Sequence, residues 1–245
     1  MRAGLRSLPA LRALVPALAC TLVWSLPAAA DEPGTGALAR FRLGLRTGFG
    51  VPYGQYAEVR TFASFRDPDV NAISDDVHGV IPFWLDAGYR LSSQLTVGAY
   101  FVFGLVLPKV APANNPLSGG CPQGFDCAAT GLRAGIQGEY AFLTGPVRPW
   151  LGLGLGYEWV QTRLQGKTLD LDLATWHSGP EFLHVQAGTD FRLAPNFALG
   201  PFLTLTAMQY TSCRLELNGQ RQTCKLDDKA WHGWALFGAR GTLDL

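Results

Sequence analysis

Apolar residues alternate with small or polar ones over eight stretches of this chain: residues 41–50, 81–91, 95–107, 131–142, 149–160, 181–192, 197–209 and 233–245. A period of two puts successive side chains on opposite faces of an extended strand. No helical period of useful length competes with it. Each stretch is long enough to cross a bilayer as a tilted strand, which takes ~9–11 residues. In the first, Phe41, Leu43, Leu45 and Phe49 alternate with Arg42, Gly44, Arg46 and Gly48. In the fifth, Leu151, Leu153, Leu155, Tyr157 and Trp159 alternate with Gly152, Gly154, Gly156 and Glu158. One residue interrupts the pattern. Pro201 falls inside the seventh stretch, and its missing N–H predicts a bulge there or a strand that starts later.

The connections alternate in length. Short links follow stretches two, four and six: Ser92-Ser93-Gln94, residues 143–148 around Gly145-Pro146, and Ala194-Pro195-Asn196. The links after stretches one, three, five and seven are long, roughly 20–30 residues, and rich in Pro, Gly, Asn, Asp and Ser. In an up-and-down antiparallel barrel every second connection lies at the same end. All long loops therefore share one end, and all turns share the other with the termini. This is the asymmetry of short periplasmic turns and long extracellular loops. The predicted fold is all-β: an eight-stranded up-and-down antiparallel transmembrane β-barrel with four long extracellular loops.

The two faces differ in kind. One is aliphatic and aromatic. The other mixes glycine with charge: Arg42, Arg46, Arg90, Arg133, Arg192 and Arg240 against Asp86, Glu139, Glu158, Asp190 and Asp244. A solvated face would favour Lys, Glu, Ser and Thr over a series such as Gly152-Gly154-Gly156. Small residues beside bulky charges suit the lumen of an eight-stranded barrel, which side chains just fill. Buried charges must be paired, and near-balance of the two signs meets that demand. These residues are expected to form a structural ion network in the lumen. Outward aromatics fall into two groups, Phe41, Tyr89, Tyr140, Phe142, Phe191 and Phe197 at the turn end and Phe49, Phe83, Phe103, Tyr157 and Trp159 at the loop end. Two such belts are expected at the two lipid–water interfaces. With the faces exchanged, the chain would be a soluble periplasmic carrier of the lipocalin kind.

The first 30 residues stand apart. Arg2, Arg6 and Arg12 form a basic head, an apolar core runs from Ala13 to Leu26, and Pro27-Ala28-Ala29-Ala30 precedes Asp31. That is the layout of a cleaved signal peptide, which leaves residues 31–245 as the barrel. The 20 Lys and Arg less the three in the signal face 19 acids, giving the mature chain a charge of −2. No basic surplus points to nucleic acid. Four cysteines remain, in two local pairs, Cys121 with Cys127 and Cys213 with Cys224, each in a polar loop. In an oxidising compartment they predict two loop-closing disulfides, with the pairing taken from proximity.

The last strand runs Trp231-His232-Gly233-Trp234-Ala235-Leu236-Phe237-Gly238-Ala239-Arg240-Gly241-Thr242-Leu243-Asp244-Leu245. With the architecture above, the chain resembles the small outer-membrane barrels of the OmpA/OmpX type over residues 41–245. The resemblance implies the outer membrane as location, recognition of the terminal strand by the barrel assembly machinery, and lipopolysaccharide as a neighbour. It implies no cofactor.

Candidate chemistry is sparse. His177-Ser178, with Glu181 nearby and His184 facing the lumen, is the one arrangement that could serve a lipid A-modifying barrel enzyme, because a nucleophile needs a base and an orienting acid in reach. Adjacency in a loop favours an interfacial histidine, so no catalytic residue is assigned. Asp75-Asp76, Asp170 with Asp172, and Asp227-Asp228 could hold a hard cation, yet no calcium-loop spacing is present and no metal site is assigned. A narrow small-solute channel is the alternative to a structural or surface-interaction role, with the extracellular ligand unspecified.

Overall fold

In the computed structural model, described residues are 40–55, 72–111, 120–167, 170–222, 224, 226 and 229–245. The expected signal peptide lies outside them. The elements are β1 (Phe41–Gly54), a single helical turn α1 (Ile73–Asp76), β2 (Val77–Arg90), β3 (Leu95–Pro108), β4 (Phe125–Ala141), β5 (Val147–Gly166), β6 (Asp172–Ala194), β7 (Phe197–Gln209), β8 (Ser212–Leu217), β9 (Gln220–Gln222) and β10 (Trp231–Asp244). Strands β1 to β7 pair with their sequence neighbours. β10 then pairs with both β7 and β1, which closes an antiparallel ring of eight. All eight predicted strands are present. Closure leaves the ring of eight without a free edge, the condition for crossing hydrocarbon with strands.

The apolar face points outward. Leu45 is 67% exposed, and Phe83, Leu85, Leu153, Leu155, Leu203 and Phe237 are exposed with it. On β1 this belt runs from Phe41 to Val51. At ~3.4 Å per residue and a tilt of ~40° it is roughly 25 Å tall, the height of a membrane barrel's apolar band. Facing residues of the opposite parity are buried. The chain is an outer-membrane β-barrel with its polar face inside.

Three features depart from the sequence pattern. Pro201 forces no bulge: its register with β10 is unbroken at Ala239, and β7 begins at Phe197. The ladder to β6 lapses instead, passing from Gly188↔Phe202 to Phe191↔Leu199 with no pair between. The missing N–H is absorbed on that side. Second, the third long link is largely strand. β5 and β6 continue in register to Gln165↔Asp172, so only residues 167–171 connect them. Third, β8 extends the line of β7 along β6, from Ser178↔Ser212 to Leu173↔Leu217, and β9 folds back on it. The tops of β4, β5, β6, β8 and β9 thus form a wall that rises beyond the apolar belt on one side of the barrel. Both disulfides lie at this level, Cys121–Cys127 against the start of β4 and Cys213–Cys224 across β8.

Candidate functional site

The lumen is the chemically richest region, and two parts can be separated along its axis. In the turn-side half, Arg46 is the centre. Its Nε donates to Asp86 Oδ2 at 2.6 Å, its Nη2 to Glu139 Oε1 at 3.1 Å, and its Nη1 to Gln186 Oε1. The guanidinium lies 4.8 Å from the Trp84 ring and 5.5 Å from that of Trp150. Glu139 also accepts from Arg240 Nη2 at 2.7 Å, and Arg240 stacks 4.3 Å over Trp150. Gln137 donates to Asp86 at 2.8 Å and accepts from Gln186 at 2.8 Å. Nearest the turns, Asp244 takes Arg42 at 2.8 Å and Arg90 at 2.7 Å. Trp150 Nε1 donates to Asp190 at 3.2 Å.

The loop-side half holds two glutamate–histidine pairs. Glu181 Oε2 accepts from the Tyr100 hydroxyl at 2.5 Å, and its Oε1 meets His184 Nδ1 at 2.8 Å and Arg133 Nη1 at 3.9 Å. Glu158 meets His232 Nε2 at 3.1 Å and accepts from Trp234 Nε1 at 3.3 Å. Glycine makes this possible at one place. Gly135 and Gly156 are cross-strand partners, and a Cβ on either would collide with the Tyr100 hydroxyl.

The structure brings together Arg42, Arg46, Asp86, Arg90, Arg133, Glu139, Glu158, Asp190, Arg240 and Asp244 within the lumen. Arg192 is the exception. It is exposed at the turn end, where its Nη2 reaches only the Thr144 carbonyl at 3.5 Å, and a register shift between Arg192 and Ala194 ends the strand's alternation. Two lumen charges were not anticipated. Arg148 is buried beside Arg42 and Asp190, on the even parity of β5 extended back past Trp150. Glu181 is buried because of a bulge. Phe182 and Leu183 together oppose Leu155, and both are exposed. Two residues against one turns Glu181 and His184 inward three positions apart. No period-two rule could place Glu181 there.

His177 and Ser178 lie in β6 and not in a loop. Neighbours in an extended strand point to opposite faces. Ser178 Oγ contacts the Tyr157 hydroxyl at 3.2 Å on the outer face. The His177 ring packs 5.3 Å from Tyr210, which stacks 4.0 Å from His232. The pair forms no nucleophile–base dyad, and Glu181 is engaged elsewhere. Burial, with a smaller contribution from the His232 charge, lowers the His177 pKa to about 4. Of the acidic pairs, Asp76 accepts from the Gly120 N–H at 2.6 Å and Asp172 pairs with Arg163 at 2.5 Å, while Asp227-Asp228 lie outside the described residues. Among the described residues no group of three metal-ligating side chains occurs.

No family model and no curated protein matches the chain. Solved structures do. Neisserial surface protein A is similar over 86% of this chain and 100% of its own, at 15% identity and a TM-score of 0.46. A major outer membrane protein from Thermus thermophilus is similar over 83% of this chain and 99% of its own, at 14% identity and a TM-score of 0.48. The outer membrane protease OmpT from Escherichia coli is similar over 88% of this chain and 100% of its own, at 8% identity and a TM-score of 0.38. None of these likenesses bears on what the chain does.

Proposed function

We propose that the protein is a sealed membrane anchor that presents its disulfide-braced wall to partners outside the cell. The observation that carries this is the filled lumen. Arg46, Arg240, Trp84, Met208, Leu236 and His184 are all almost fully buried in it. Two cavities line the turn-side half, among the described residues, and the larger holds about 10 Å³. That is close to the least space one water needs. A solute would have to displace paired guanidinium and carboxylate groups to pass. What the chain does offer is surface: the tops of β5 and β6 paired beyond the belt, carrying β8 and β9.

Planar-bilayer recording of the refolded protein tests the anchor against the channel. The expected trace stays at baseline over hours at ~1 M salt. At that concentration the Debye length is about 3 Å, so exposed charge no longer bars an ion from the mouths of the barrel and the filled lumen alone does. A reproducible unitary step from the heat-modifiable, folded fraction would sink the sealed-anchor reading and make the narrow channel the function.

A further inference from the structure

The lumen charges do not balance half by half. In the turn-side half five arginines, Arg42, Arg46, Arg90, Arg148 and Arg240, face four acids, Asp86, Glu139, Asp190 and Asp244. The loop-side half has the opposite surplus, Arg133 against Glu158 and Glu181. The positive surplus can be traced to one residue. Every other lumen arginine has a carboxylate within ion-pair distance. Arg148 has none among the described residues, although it is only 5% exposed, and its Nε has no hydrogen-bond partner. Asp190 stands directly opposite it in the β5–β6 ladder, but that carboxylate accepts from the Trp150 indole at 3.2 Å. Arg42 and Arg90 share the carboxylate of Asp244. Their repulsion of Arg148 exceeds the attraction it feels from Asp190 and Asp244.

Space lies beside this surplus. Arg148 and the turn residue Gln94 line a narrow cleft at the turn end, and the cleft shares the walls Arg42, Thr96 and Glu139 with the 10 Å³ cavity. Gly88 and Gly98, partners across β2 and β3, keep side chains out of that cavity on one side. Arg240 lines it too, and two of its buried guanidinium nitrogens, Nε and Nη1, have no partner. The acids on the cavity wall are already engaged, Asp86 by Arg46 and Gln137, and Glu139 by Arg46 and Arg240. Unpaired charge and unmet donors are both costly in a buried site. We propose that the cavity binds a small monovalent anion between Arg42 and Arg240, and that this anion neutralises the charge Arg148 brings to the turn-side half. Charge and size select the same ligand. One surplus positive charge calls for one negative charge. A space on the scale of one water admits a halide and rejects sulfate, phosphate and organic acids. The site is independent of any partner at the wall.

The test uses chloride as the probe, read by the chloride-35 NMR line width over the refolded mature protein in detergent, with gluconate holding the ionic strength constant. The wild type is expected to broaden the line saturably. Bromide competes, and sulfate at equal ionic strength does not. Arg148→Gln removes the surplus charge and weakens chloride about tenfold, the worth of one nearby unit charge in a protein interior. Gly88→Ala leaves every charge in place and puts a methyl group on the cavity wall, so chloride binding is lost. Arg192→Gln, exposed at the same end, binds as the wild type does. The heat shift in SDS shows which variants are folded, and the bromide and sulfate competitions on the wild type decide the matter without them. A wild type that gives no saturable broadening overturns the site. So does sulfate competing as well as bromide, and so do folded Arg148→Gln and Gly88→Ala proteins that bind like the wild type. Asp31 and Glu32 lie outside the described residues, and a chain carrying Asp31→Asn and Glu32→Gln is expected to bind chloride like the wild type. Binding confined to that chain would show its own carboxylates filling the place, and would overturn the proposal as well.

Discussion

Glu139 holds two arginines at once, Arg46 at 3.1 Å and Arg240 at 2.7 Å, and its side chain is almost fully buried. Removing one member of a buried ion network leaves a charge with no solvent to turn to, at a cost of about 3–5 kcal/mol. Glu139→Gln is therefore expected to lower the unfolding midpoint of the vesicle-embedded barrel in urea by a wide margin. Asp172→Asn, which breaks the exposed pair with Arg163, is expected to leave that midpoint unchanged. Equal effects from the two would mean the lumen network does not hold the barrel. The balance of this network also shows what alternation can and cannot reveal. Period-two parity placed six arginines against five acids in the lumen. The structure replaces exposed Arg192 with Arg148 and adds Glu181, giving Arg42, Arg46, Arg90, Arg133, Arg148 and Arg240 against Asp86, Glu139, Glu158, Glu181, Asp190 and Asp244. Six now face six. Arg148 was hidden by a strand boundary set two residues late, and Glu181 by a bulge that reverses parity.

That bulge is a property of β6 as an element, and it governs the wall above it. Residues on the turn side of Phe182 and residues on the loop side follow opposite parity, so His177 faces inward against Tyr210 while Trp159 and Trp176 share the outer face. Inserting one residue between Leu155 and Gly156 of β5 would restore one-for-one pairing across the bulge, with Phe182 facing the lumen and Glu181 turned toward lipid, where an ionised carboxylate is costly. The expected result is a chain that fails to give the heat-shifted band. Folding without it would mean the bulge is dispensable. The wall also has its own titration. The His177 pKa lies at about 4, below the ordinary value of 6.5, because burial disfavours the imidazolium. An opened wall takes up the proton near 6.5 and the closed wall only near 4, so between those values the open form binds more protons. Closed-wall stability is fully present above pH 6.5 and falls as the pH drops toward 4. Amide exchange of β8, corrected for intrinsic rates, should accelerate across that window in the wild type and stay flat in His177→Phe. The wall itself was not legible in the sequence, because the stretch 161–180 lacks an uninterrupted apolar alternation. It has polar residues on both faces, as a strand needs once it leaves lipid.

The whole molecule joins two constructions with different sources of stability. The barrel is held by a closed ring of ladders and a paired lumen. The wall is held by the β5–β6 ladder beyond the belt, by β8 against β6, and by disulfides at its margins. Among the described residues, nothing in the lumen network reaches above the Glu158–His232 level except the Tyr210–His177 stack. The two should then be separable. Replacing residues 163–174 with an Asn-Gly turn, which suits a two-residue hairpin, removes the top of the wall and leaves each strand's belt segment untouched. The trimmed protein is expected to enter the outer membrane and to keep both its SDS resistance unheated and its shift on boiling. Cells carrying it should lose whatever surface attachment the wild type confers over cells lacking the protein. A trimmed chain that no longer shifts on heating would show that the wall completes the barrel rather than standing on it. Display would then be a by-product of folding, not the role of the extension.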